Sequence, residues 1–164
     1  DHLDYHKDME TYFKAKLSII NTLSLDTKII VNIDDEYGKI FFTEAKNRGF
    51  KVETIGFSDI ADVQLRVTQG TLGTQFIEIV RGDLVYKFQT HLIGEFQAAN
   101  LGMALLTCET FGFKFDELVC FCDTLKPVPG RLEFVGKTKK GALVYIDFAH
   151  TPDALKNLLK TKIQ

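Results

Sequence analysis

A change of hydrophobic period partway along the chain constrains the fold more than any other feature. Residues 28–34, KIIVNID, are a short apolar run rich in β-branched side chains, the pattern of a buried strand. EYGKIFFTEAKNRGF follows at helical spacing and closes on Gly49, the usual terminator of a helix. KVETIGF then returns to a strand pattern. Strand, helix, strand predicts a parallel α/β unit with a right-handed crossover. Over residues 62–92 the period drops to two, in VQLRVTQGTLG, QFIEIVRGD and LVYKFQTHLIG, with turns at QGTLG and RGD. Such alternation predicts an antiparallel meander of three strands.

The flanks complete the outline. DMETYFKAKLSIINT, residues 8–22, has mostly helical spacing, with Asp8 placed to cap it. GEFQAANLGMALLTCETF, residues 94–111, reads as a helix, and KFDELVCFCDTL as a second one, capped by Asp116 or by Lys114 and its neighbours. PVPG, residues 127–130, is the sharpest break and holds two of the three prolines, so a domain boundary is expected there. RLEFVGKTKKGALVYID reads as a hairpin turning at KTKKG, and TPDALKNLLKTK as a helix with Thr151 at the N-cap and Pro152 at its first position. The chain opens on Asp1 and stops at KTKIQ shortly after that helix begins, which suggests a piece of a longer protein.

Composition excludes some classes. With a formal net charge of −2 and 26% charged residues, no basic surface for nucleic acid or an anionic membrane is expected. No apolar run approaches the length of a membrane span, and no signal peptide opens the chain, so a cytoplasmic setting is expected. Cys108, Cys120 and Cys122 lie in apolar stretches without a metal-knuckle spacing and read as buried thiols of a reducing compartment.

Four stretches hold residues suited to chemistry. DHLDYH places Asp1, His2, Asp4 and His6 together, with Lys16 further on. Such a set suits a divalent cation, or it is a polar loop entering a helix. In GEFQAAN, Gln97 and Asn100 stand one turn apart on one helix face, suited to a base or ribose edge, or simply solvated. GRLE sets Arg131 directly after the PVPG break, where it either clamps a phosphate or carboxylate or forms a surface ion pair. IDFAHTPDAL puts Asp147 and His150 between a strand end and a helix start. In α/β proteins that is a ligand position, and also an ordinary turn.

Taken in order, HLDYH-x-x-ME-x-Y-x-x-AK, G-x-F-x-x-x-N, P-x-x-GR-x-E and DFAHTPDAL resemble the Mur ligases of peptidoglycan synthesis. They are closest to the branch that adds the third residue of the stem peptide, and the resemblance runs from Asp1 to about Leu159. It implies a fold class: part of a P-loop-type central ATPase domain (residues 1–128), then the start of a Rossmann-like C-terminal domain (residues 129–164). It also implies an ATP-dependent ligase that forms an amide through an acyl phosphate. Its cofactors would be ATP and Mg²⁺, and its substrates UDP-MurNAc-L-Ala-D-Glu and an amino acid, diaminopimelate or lysine. The intact protein would be a cytoplasmic monomer.

The resemblance places His2 and Lys16 at the metal, with Lys16 matching a lysine that the family carbamylates. Asn100 would lie at the adenine, and Arg131 and Asp147 against the nucleotide, Asp147 through the ribose hydroxyls. His150 belongs to the same motif. Two departures stand out. The family usually shows F-N-x-x-N, whereas this chain has FQAAN with Gln97 at the first amide. No G-x-x-G-K-[ST] phosphate loop occurs in the 164 residues, and it is expected upstream. The competing expectations are a non-catalytic remnant and another ligase of the Mur and folylpolyglutamate superfamily.

Overall fold

The computed structural model describes residues 8–71 and 73–160. Asp8 caps helix α1, Met9–Leu17, by accepting from Thr11 N at 2.7 Å. A 3-10 turn, Ser18–Thr22, replaces the last part of the expected helix and buries Ile20. Strand β1, Lys28–Asn32, leads through the Asp35 N-cap into α2, Glu36–Asn47, and back to β2, Lys51–Gly56. The β1 and β2 strands pair in parallel, in the register Ile30 to Glu53. The βα-unit is therefore as the sequence predicts.

The period-two region forms β3, Val63–Gln69, β4, Gln75–Arg81, and β5, Leu84–Thr90. They pair antiparallel with one another, and β3 joins β2 in parallel. The result is a five-stranded mixed sheet in the order β1-β2-β3-β4-β5. Helix α3, Glu95–Thr110, covers one face, and α2 packs on the other.

Side-chain alternation decides which core each strand residue joins. Ile29, Val31 and Ile33 point toward α2, with Ala45 and Phe50. Ile55, Val63, Leu65, Ile77 and Ile79 point toward α3, against Ala98, Leu105 and Leu106. Over the meander the other face lies open, and its charges form a ladder in which Glu78 pairs with Arg66 at 3.0 Å and Lys87 at 2.6 Å. The Lys87 ammonium hydrogen-bonded to it, with Arg66 nearby, holds the Glu78 carboxyl below its ordinary range.

The second predicted helix is much shorter than the sequence suggests. Only Phe115–Val119 form α4, Lys114 sits at its N-cap without a side-chain bond, and residues 120–124 are turns. Phe115 sets this end by packing on Tyr86, ring centroids 4.7 Å apart. The thiols also depart from expectation, since Cys122 is buried, Cys108 half-buried and Cys120 exposed. Burial, with Asp123 adding to it, pushes the Cys122 thiol up to about 11. Iodoacetamide at neutral pH is therefore expected to modify Cys120 in the native protein and to spare Cys122 until it unfolds. The unfolded thiol ionises at ~8.5, so the folded state holds this proton more tightly. The contribution is whole below that pH and is lost as pH rises through about 11. A thermal midpoint that falls above pH ~9 in the native chain and less in Cys122→Val would show it.

After the PVPG break, β6, Glu133–Lys137, and β7, Leu143–Ile146, form a separate two-stranded antiparallel sheet with a bulge between Phe134 and Gly136. Helix α5, Pro152–Lys160, follows. Among the described residues no helix is long and apolar enough to cross a membrane.

Candidate functional site

Strand β1 ends at a βα turn whose polar groups are spent on backbone. Asn32 Oδ1 accepts from Asp34 N at 2.7 Å, Asp34 Oδ1 from Phe57 N at 2.7 Å, and Asp35 Oδ1 from Gly38 N at 2.7 Å. These residues form one wall of a cleft of about 660 Å³ at the C-terminal ends of β1 and β2. Gln69, Gln75 and the first turn of α3, Gly94 to Phe96, form the other side. Clefts at this edge of an α/β sheet are the usual ligand positions of such folds.

Gln75 fixes the α3 side. It is 3% exposed, its Oε1 accepts from Gly94 N at 3.0 Å, and its Nε2 donates to Gly94 O at 3.3 Å. One amide side chain thereby satisfies both backbone groups of the helix N-cap. Gly94 has φ 98°, and a Cβ there would stand 2.9 Å from the Phe96 ring. The position requires glycine.

The structure brings some of the sequence-predicted residues together. The Asp147 carboxylate reaches back to the GRLE turn, where Oδ2 accepts from Leu132 N at 2.8 Å, while Oδ1 accepts from Ala149 N at 2.7 Å. Phe148 N donates to Gly130 O at 2.8 Å. GRLE and DFAH are thus two sides of one corner, and Leu132 lays that corner against Gly94 at the start of α3. Arg131 is exposed, and its guanidinium makes no hydrogen bond or ion pair among the described residues. The His150 Nδ1 stands 2.7 Å from Phe148 O, and its ring meets Phe148 edge-on at 5.4 Å.

Other predicted residues stand apart. Asn100 is exposed on α3, while Gln97 is 7% exposed, so the two amides do not share one surface as their spacing suggests. Lys16 lies on α1 with its ammonium 4.6 Å from the Tyr12 ring centroid, a cation–π contact. Helix α1 in turn leans on α2 through Phe13 and Tyr37, ring centroids 5.0 Å apart. His2 lies outside the described residues, as do Asp1, Asp4 and His6. Among the described residues, no three His, Cys, Asp or Glu side chains gather as a metal site.

Sequence reasoning missed Asp34, Asp35 and Gln75. For the first two a signal existed, because N-I-D-D closes a buried strand just before a helix, the βα turn that faces the ligand edge. Nothing local marked Gln75, which reads as an ordinary strand residue.

A parallel βα-unit continued by a meander, with a cleft at the strand ends and a separate hairpin laid on its rim, is an architecture shared with known enzymes. The chain belongs to the Mur ligase family: the Mur ligase middle domain matches residues 1–108. It is similar to the UDP-N-acetylmuramoyl-L-alanyl-D-glutamate–2,6-diaminopimelate ligase of Rickettsia typhi, with 38% identity over 97% of this chain and 31% of that protein. The ligase of the same name from Rhizobium meliloti is 34% identical over 98% of this chain and 33% of that protein. The chain spans about a third of the length of these relatives. Among solved structures, a diaminopimelate ligase of this name superimposes with a TM-score of 0.75 at 30% identity, covering 98% of this chain and 33% of that one. A MurF ligase from Thermotoga maritima in complex with ADP gives a TM-score of 0.80 at 21% identity, covering 98% and 36%, and shares the fold.

Proposed function

We propose that this chain supplies part of the ATP site of an amide-forming ligase that joins diaminopimelate to UDP-N-acetylmuramoyl-L-alanyl-D-glutamate. The observation that carries the proposal is the corner where motifs distant in sequence converge: Asp147 bonds Leu132 N beside Arg131, and Leu132 rests on Gly94 where α3 begins. The relatives named above support diaminopimelate as the amino acid. On this reading, residues 1–128 belong to the central domain and residues 129–164 open the next.

Each residue then has a physical task. Arg131 is an exposed cation at the rim, free to meet phosphate charge. Both Asp147 oxygens already accept one backbone amide, and each keeps a second lone pair for a ribose hydroxyl. Asn100 offers donor and acceptor to the adenine edge, with His150 beside the same corner. The cleft itself fits a base or sugar better than a triphosphate, because Asp34, Asp35 and Glu95 line it. Lys16 as a carbamate, together with His2, would hold Mg²⁺. That ion, when bound, stabilises negative charge on transferring phosphoryl oxygens.

Nothing in the 164 residues supplies a phosphate loop, so the chain alone is expected to hydrolyse no ATP and form no amide bond. The test is a chimera in which these residues replace the matching third of the R. typhi ligase. Diaminopimelate-dependent ATP turnover is expected, and Arg131→Ala should lower its kcat/KM by about tenfold to a hundredfold. A folded chimera without turnover would favour the non-catalytic alternative.

A further inference from the structure

Leu132 is unusual on two counts. Among the described residues it alone, apart from glycines, has positive φ, at 46°, and it is only 1% exposed. A left-handed backbone disfavours any residue bearing a Cβ, and it persists only where the surroundings hold it. Here they do so from both sides. On the backbone side, Asp147 Oδ2 accepts from Leu132 N at 2.8 Å, and Glu133 Oε2 accepts from Gly130 N at 2.9 Å. On the side-chain side, Leu132 Cδ1 lies 3.3 Å from the point where a Cβ on Gly94 would stand. Gly94 is itself pinned through both backbone groups by the buried Gln75. Two residues further on, Phe134 packs against Gly73. An unbroken path of contacts therefore runs from the end of β7, through Leu132, to the first residue of β4.

We propose that Leu132 is a positioning residue: seated against Gly94 and held in its left-handed turn by the Asp147 carboxylate, it fixes Arg131 at the corner of the cleft where α3 begins. The guanidinium of Arg131 has no partner among the described residues, so only its backbone aims it. That backbone is held by Arg131 N donating to Val128 O at 3.0 Å and by the seated leucine that follows. A leucine, unlike a glycine, makes this conformation conditional. The turn is left-handed only while the side chain is buried, and once it leaves its seat the backbone relaxes and Arg131 moves away.

The consequence for nucleotide rests on the reading given above, but the seat itself is tested without nucleotide. Trypsin cleaves after Arg131 only when the corner opens, at a rate that follows the open population. In the purified 164-residue chain, Leu132→Ala and Asp147→Asn are expected to speed cleavage after Arg131 by about tenfold or more, with cleavage after Lys87 in the sheet unchanged. Leu132→Met, which keeps an apolar side chain of similar volume, should stay within about threefold of the native rate. Native cleavage as fast as in Leu132→Ala, or Leu132→Met as open as Leu132→Ala, would overturn the proposal. Amide exchange on the unaltered chain gives an independent answer if a variant fails to fold. Slow exchange at Leu132 and Ala149, comparable to the sheet, supports the seat, and fast exchange at either refutes it.

Binding of a fluorescent ATP analogue to the chimera described above separates seat from site. Leu132→Ala should weaken binding about as much as Arg131→Ala, and the double variant no more than either. Unchanged affinity with an opened corner would overturn the positioning role. No binding by the chimera would sink the nucleotide reading of Arg131 alone, since the trypsin and exchange measurements still decide the seat.

Discussion

Gly38→Ala is expected to lower stability by about 3 kcal/mol or more, a fall of roughly 10 °C in thermal midpoint for a chain of this size. The reason is the close approach between α2 and the end of β1. A Cβ on Gly38 would stand 1.9 Å from the carbonyl oxygen of Asn32 and 3.1 Å from its carbon. Those atoms are backbone, so no rotamer change relieves the clash. Either α2 lifts from the sheet or β1 bends. Lifting α2 would loosen Ala45, which packs on Ile29, Val31 and Ile33, and would break the cap from Gly38 N to Asp35. The neighbouring change Lys39→Ala touches only an exposed pair with Glu36 and should leave the midpoint within about 1 °C. Equal midpoints for Gly38→Ala and the native chain would show that β1 and α2 do not meet as described.

Arg81→Met is expected to cost about 2 kcal/mol, below the 3–5 typical of fully buried pairs because this one is partly solvated. Arg81 ends β4 and ties it to two other elements. Nη2 stands 2.6 Å from Glu53 Oε1 on β2, and Nη1 2.8 Å from Glu109 Oε2 on α3. The Arg81 side chain is 30% exposed, and Glu53 13%. Burial opposes the Arg81 charge, but Glu109 and Glu53 outweigh it and hold the guanidinium above its ordinary range. Among the described residues, Glu53 without Arg81 keeps only Lys28, whose Nζ lies 2.6 Å from Oε2 but off the hydrogen-bond direction. The loss should therefore come from stranded carboxylates more than from a missing contact. Glu53→Gln in the Arg81→Met background is expected to recover part of it, as read by urea midpoints of the single and double variants. A double variant weaker than Arg81→Met would show that Glu53 is not the stranded group.

Local pattern is sufficient for some elements and not for others. The β-branched run at 28–34, the alternation over 62–92 and the cap at Asp8 each reflect one strand or one helix end. Neighbours a few residues away decide them. KFDELVCFCDTL misled because its apolar residues fit helical spacing, whereas tertiary packing sets the end of α4. Phe115 is anchored on Tyr86 of β5, and beyond Val119 the chain turns to bury Cys122 while Phe121 is left 64% exposed.

The candidate site divides in the same way. The ordered words DHLDYH, GEFQAAN, GRLE and DFAHTPDAL carried family membership and named Arg131 and Asp147, because residue types at given spacings survive in a sequence without any coordinates. Hydrogen-bond partners across the fold do not. That Asp147 grips Leu132 N, that Leu132 turns left-handed against Gly94, and that Gln75 pins α3 depend on residues brought together by folding. So does the split between Gln97 and Asn100, which share a helix spacing but not an environment, because the seating of α3 on the sheet buries one and exposes the other. Local pattern was enough for the order of strands and helices and for the family, though not for where the first helix tightens at Ser18 or α4 stops at Val119. Only folding settles that Asp34 and Asp147 are spent on backbone amides while the Arg131 guanidinium has no partner among the described residues, since those outcomes depend on distances between segments that no local period encodes.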